Sequence, residues 1–150
     1  MINYTIRPIN IGDAKQLAKL DKLCFSVPWS EQSFISEAGN SMAYYLAACR
    51  GSDIIGYIGY WRVIDEGHIT NVAVSPECRR QGIASDLLTN IIHIARSQQL
   101  VLLTLEVRKS NKPARALYEC FGFKAIGERR DYYRSPRENA IIMTLMLGEE

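Results

Sequence analysis

The chain has 150 residues, 47% of them apolar and 23% charged, with a formal net charge of +2. That length suffices for the buried core of one domain, which is the expectation for residues 1–150, and so even a charge balance does not mark a nucleic-acid binder. The start lacks the cationic, apolar pattern of a secretory leader and no run reaches membrane-spanning length, so a cytoplasmic protein without a membrane partner is expected.

In chain order, Ile2, Tyr4 and Ile6 alternate with polar neighbours as in a strand that Pro8 closes. From Asp13 to Cys24 the apolar residues Ala14, Leu17, Leu20, Leu23 and Cys24 recur at helical spacing. Pro28 interrupts regular structure, and Ser30 can cap a short helix from Glu31. Met42 to Arg50 and Ile54 to Val63 read as a β-hairpin across Gly51-Ser52-Asp53, and a second turn at Asp65-Glu66-Gly67 leads into an antiparallel strand from His68 to Val74. A helix with a wide apolar face follows from Ile83 and fades near Gln98-Gln99. Leu100 to Val107 is an apolar run of strand length, as in a strand covered on both faces. Asn111 or Ser110 can cap the next helix, with Pro113 in its first turn and Gly122 at its end. Two strands, Phe123 to Arg129 and Ala140 to Leu147, bracket a polar aromatic loop. The pattern predicts a mixed α/β domain.

Four cysteines, Cys24, Cys49, Cys78 and Cys120, stand far apart without a C-x-x-C pair. They read as reduced, buried small residues rather than as a disulfide framework or a zinc site. His68 and His93 have no partners at ligand spacing, so no metal is expected.

The chemistry begins between the strand ending at Val74 and the helix from Ile83. Gly82 permits close backbone approach, and the helix start offers unpaired N–H groups and the positive end of its dipole. Arg79 and Arg80 add fixed charge, so the segment can cradle a diphosphate, although simple turn chemistry accounts for a glycine there equally well.

The pattern Arg79-x-x-Gly82-x-Ala84 after Asn71-Val72-Ala73-Val74 resembles the acetyl-CoA signature of the GNAT superfamily of N-acetyltransferases. Leu105 to Asn111 and Ala116 to Phe123 resemble its fifth strand and fourth helix. Pro28-Trp29-Ser30, Arg129 to Tyr133 and Asn139 to Met143 extend the likeness over nearly the whole chain, within the branch that acetylates the N-terminal alanine of a small-subunit ribosomal protein. The resemblance implies a splayed, mostly antiparallel sheet of about seven strands flanked by four helices. It also implies acetyl-CoA as donor, held by Val72, Ala73 and Val74, by Arg79, Arg80, Gln81, Gly82, Ile83, Ala84 and Ser85, and by Asn111, whose helix-capping role can coexist with cofactor contact.

By the same resemblance Glu106 takes the acceptor amine's proton and Tyr118 returns one to the leaving thiolate. Partial desolvation at the end of an apolar strand is expected to raise the Glu106 pKa. The competing readings are an ion pair of Glu106 with Arg108 or another arginine, and a Tyr118 that only packs its ring. Trp29 and Tyr132, in the loops flanking the site, are the candidates for binding an extended N-terminal peptide, expected to be ribosomal. The alternatives are a small-molecule amine as acceptor, a non-catalytic CoA-binding module, and a nucleic-acid surface built on the basic aromatic loop, which the interleaved acidic residues dilute.

Overall fold

The computed structural model describes residues 3–148. Seven strands, β1 (Thr5–Pro8), β2 (Ala43–Arg50), β3 (Asp53–Val63), β4 (Glu66–Val74), β5 (Leu102–Arg108), β6 (Lys124–Arg134) and β7 (Arg137–Met146), form one sheet in the order β1-β2-β3-β4-β5-β7-β6. Four α-helices flank it: α1 (Ala14–Cys24), α2 (Glu31–Ala38), α3 (Ile83–Ser97) and α4 (Lys112–Cys120). Every strand pair is antiparallel except β4 with β5. The first strand ends at Pro8 as expected, while Ile2 lies outside the described residues.

The two helix pairs cover opposite faces. One core joins Leu17, Leu20 and Phe34 of α1 and α2 to Tyr45, Ala47 and Tyr57 of the sheet. The other joins Ile83, Leu87, Leu88 and Ile91 of α3, with Tyr118 of α4, to Ile58, Leu103, Leu105 and Met143. Burying each large aliphatic side chain contributes roughly 1.5–3 kcal/mol, so the apolar face of α3 is enough to hold it on the sheet.

Helix α1 departs from its sequence pattern. Leu23 is 61% exposed and Asp21 is buried instead. The reason is a polar anchor: the Asp21 carboxylate accepts hydrogen bonds from the Tyr57 hydroxyl at 2.6 Å and the Trp29 backbone N–H at 2.9 Å. Cys120 is also exposed rather than buried, while all four cysteines are free.

The strands differ in three respects. The second turn falls at Ile64 and Asp65, so Glu66 and Gly67 already belong to β4. Gly67 serves packing rather than turning, since a Cβ there would lie 2.6 Å from Leu103 Cδ2 across the β4–β5 pair. Strand β5 is not covered on both faces: Leu103, Leu105 and Val107 are buried while Leu102, Thr104, Glu106 and Arg108 are half-buried. Among the described residues no helix packs on that second face, because α1 and α2 cover the β2–β4 side. Finally, the basic aromatic segment after Arg129 is no loop. It continues β6 to Arg134 and β7 begins at Arg137, because backbone pairing runs out to the Arg134–Arg137 pair.

The feature that positions the site is the parting of β4 from β5. They pair only over Glu66–Leu102, Gly67–Leu103 and His68–Thr104. Beyond that, β4 stays with β3 and β5 stays with β7. A β-bulge helps bend β4 away: Gly59 pairs with Asn71 and Tyr60 with Ile69, leaving Thr70 as the extra residue. Thr70 Oγ1 is fixed 2.7 Å from the Tyr45 hydroxyl, and Gly59 makes room for the Tyr45 ring, which a Cβ would meet at 2.2 Å.

Candidate active site

Glu106 sits just past the last paired residues of β4 and β5, on the face opposite the α3–α4 core. His68 Nε2 donates to Glu106 Oε1 at 2.6 Å, and Arg129 Nε approaches Glu106 Oε2 at 3.3 Å. The His68 hydrogen bond, aided by the Arg129 guanidinium, holds the carboxyl below the usual glutamate range, although burial pulls the other way. The expected upward shift is therefore overturned. Burial penalises a bare carboxylate, but here hydrogen-bond donors and charge reach it first. The arginine ion pair weighed from sequence exists, with Arg129 as partner, and the 56% exposure of that side chain keeps it weak.

Tyr118 lies in the opposite core, its ring 5.7 Å from Phe123. Burial, then the neighbouring Tyr133 phenol, push its pKa upward. Tyr118 is buried in that core, only 8% exposed. Glu106 and Tyr118 thus face the parted strands from opposite sides of the sheet.

Beyond the bulge, β4 ends in Val72, Ala73 and Val74, whose β5-facing edge is unpaired. A short 3-10 turn and the Arg79–Gly82 segment then lead into α3. Gly82, at φ 82, is its N-cap residue, no side chain caps the helix, and the space where a Cβ would project is open. The first N–H groups of Ile83, Ala84 and Ser85 have no intrahelical acceptors and face outward from this end. Arg80 also takes a left-handed φ of 64. Arg79 is tied back to the strand, its Nε donating to the Val74 carbonyl at 3.1 Å. Gln81 is half-buried beside them. Across the gap, Asn111 caps α4 by accepting from the Ala114 N–H at 3.3 Å.

On the α1–α2 side the cleft has an aromatic wall. Trp29 stacks on Trp61 at 6.3 Å and tilts against Phe34 at 5.4 Å, and Trp61 meets the His68 ring edge-on at 6.4 Å. Glu37 holds this wall by accepting from both the Tyr45 hydroxyl and Trp61 Nε1. Tyr132, 46% exposed, stands on the other side, 6.0 Å from the Arg129 guanidinium. The tip of the β6–β7 hairpin reaches over to the wall through a hydrogen bond from Ser26 Oγ to the Ser135 carbonyl.

Sequence reasoning missed His68, Trp61 and Glu37. His68 and Glu106 are 38 residues apart, and nothing local links them; only the parallel register of β4 and β5 does. Among the described residues, no three His, Cys, Asp or Glu side chains are grouped as a metal site requires, and no helix is long and apolar enough to cross a membrane.

An opened parallel strand pair, a carboxylate at its fork and an uncapped helix start beside it have the arrangement of an acyl-CoA-dependent acyltransferase. Residues 14–123 match the acetyltransferase (GNAT) family. The chain belongs to that family, whose members use acetyl-CoA. It is 34% identical over 146 residues to the ribosomal protein bS18-alanine N-acetyltransferase of Escherichia coli, covering 96% of this chain and 98% of that one. It is 35% identical over 138 residues to the protein of the same name from Haemophilus ducreyi, covering 90% and 94%. The crystal structure of the Escherichia coli ribosomal-protein-S18-alanine N-acetyltransferase superposes with a TM-score of 0.91 at 31% identity over 99% of this chain and 96% of that one.

Proposed function

We propose that the chain acetylates the N-terminal amine of a protein in the cytoplasm, acting as a single domain, and that its acceptor is the N-terminal alanine of a small-subunit ribosomal protein. The observation that carries this reading is the fork between β4 and β5 with the His68–Glu106 pair at its base. The unpaired edge of Val72–Val74 offers N–H and C=O groups to the amides of the pantetheine arm, as an added strand would, and an N–H there polarises the thioester carbonyl. The open start of α3, with Gly82 and Arg80, suits the diphosphate.

A peptide α-amine titrates at about 8, so at neutral pH most of it is an ammonium that Glu106 attracts. Its proton passes to the Glu106 carboxylate, whose other partners are the His68 and Arg129 donors. The amine nitrogen then bonds to the thioester carbon, and collapse of the tetrahedral intermediate breaks the carbon–sulfur bond. Tyr118, kept protonated by its burial, gives its proton to the departing thiolate. Trp29, Trp61 and Tyr132 provide flat apolar walls for the first peptide residues. The α-amine specificity is supported by the names of relatives about as long as this chain.

The test is a panel of acceptors with acetyl-CoA: an alanine-initiated ribosomal peptide, the same peptide blocked at its N-terminus with an internal lysine, and a polyamine. Turnover of the free alanine peptide is expected to exceed that of the others at least about tenfold in kcat/KM, a gap of ~1.4 kcal/mol in transition-state binding. Equal turnover of the polyamine overturns the protein acceptor, and turnover confined to the lysine overturns the α-amine.

A further inference from the structure

In the β6–β7 hairpin, Arg129 pairs with Ala140 and Tyr133 pairs with Glu138. Between these pairs β6 carries Arg130, Asp131 and Tyr132 while β7 carries only Asn139. Such a bulge leaves backbone groups without ladder partners and turns side chains away from their regular directions. Asp131, in its middle, has φ 52, the left-handed region that costs an L-residue energy and that aspartate tolerates better than most.

The Asn139 side chain fills the gap. Its Oδ1 accepts from the Asp131 N–H at 2.9 Å, and its Nδ2 donates to Glu128 Oε2 at 2.6 Å. Glu128 is itself held by Lys109 Nζ at 3.2 Å, and the Asn139 carbonyl accepts from the Lys109 N–H at 3.1 Å. One amide therefore braces the bulge from inside and ties it to the end of β5. Arg129 stands at the start of the braced segment and Tyr132 lies within it, and both border Glu106.

We infer that Asn139 is a positioning residue: its amide holds the three-for-one bulge of β6 and so aims the Arg129 guanidinium and the Tyr132 ring at Glu106. A regular ladder over this stretch would need to lose two residues from β6 or rotate Arg129 and Tyr132 off their present directions. The groups facing Glu106 are His68 from β4 and Arg129, Tyr132 and Tyr133 from β6. Of these only the β6 groups depend on the bulge. This inference rests on Glu106 as the proton acceptor; the turnover of Glu106→Gln tests that reading, whereas the titration below needs no turnover.

The experiment compares Asn139→Ala, Arg129→Gln and the double variant of the full chain. The Glu106 carboxyl is followed by carbon NMR across pH, and KM is measured for the alanine peptide and for acetyl-CoA. Both single variants are expected to raise the pH at which Glu106 titrates, with no further rise in the double, because both take away the same cation. Asn139→Ala is expected to raise the peptide KM about tenfold with the acetyl-CoA KM unchanged, as displacement of one wall of the acceptor slot requires. Additive titration shifts, or an Asn139→Ala enzyme with wild-type titration and peptide KM, overturn the inference. If Asn139→Ala does not fold, Glu128→Ala removes the acceptor of the amide's N–H together with its Lys109 ion pair and leaves the Asn139 Oδ1 bond to Asp131; a smaller rise in the same two readouts is expected, and none overturns it.

Discussion

At Glu106, burial pulls its pKa up and the His68 hydrogen bond pulls it down, and the hydrogen bond wins. The carboxylate is therefore anionic across the physiological range, and its proton affinity is set from outside its own strand. Replacing Glu106 by Gln is expected to lower turnover about 10²-fold or more while leaving acetyl-CoA affinity as it is, measured by steady-state kinetics and calorimetry. Replacing His68 by Gln removes the largest downward influence. The acid limb of kcat/KM, corrected for the titration of the substrate amine, should then move to higher pH, toward the ordinary glutamate value of ~4.3. An unmoved limb would mean that His68 does not tune the base. The candidate role of Glu106 was legible in the motif; its depressed pKa was not, because the donor that causes it comes from β4.

At the scale of elements, the start of α3 and the start of α4 separate two uses of a helix N-terminus. Asn111 closes α4 with its own side chain, whereas Gly82 leaves α3 open. Gly82→Ala is expected to cost about 1 kcal/mol of stability, because a Cβ is strained at φ 82 although nothing nearby would clash with it. It should also weaken acetyl-CoA binding by disturbing the backbone that meets the diphosphate. Asn111→Ala is expected to cost a similar ~1 kcal/mol through the lost cap, with a smaller effect on acetyl-CoA. Urea unfolding and calorimetric titration on the same two variants distinguish these outcomes. Both glycine and asparagine were readable as punctuation. The face of α1 was not, because Asp21 enters the core only where Tyr57 and the chain at Trp29 supply donors.

For the whole molecule, paired carboxylates set the response to acid. The Arg7 guanidinium, hydrogen-bonded to Asp13 at 2.8 and 2.9 Å, holds that carboxyl below its usual range and fastens β1 to the residue just before α1. Groups of this kind stabilise the fold fully above the unfolded carboxylate range and lose that contribution as pH falls through the lower folded value. Asp21 has the opposite sign: burial raises its pKa, so it costs stability near neutrality and costs less as it takes up its proton. Thermal unfolding is therefore expected to change little between pH 8 and 6, to fall steeply below about pH 4, and to fall less steeply in Asp13→Asn. A melting temperature of Asp13→Asn that declines in parallel with the wild type would remove this pair from the acid response.

The chain order of strands and helices and the glycine before α3 were legible in local periodicity and turn chemistry, and Glu106 and Tyr118 were candidates through a motif resemblance; each of these signals acts over a few residues. Tertiary structure alone decided where β4 and β5 part, because that depends on the close approach at Gly67 and the bulge at Thr70. It also decided that the basic aromatic segment is strand rather than loop, since its ladder partners lie on β7. The pairing of His68 with Glu106 belongs with these. A hydrogen bond across 38 residues exists only once two strands with no local pattern in common lie side by side.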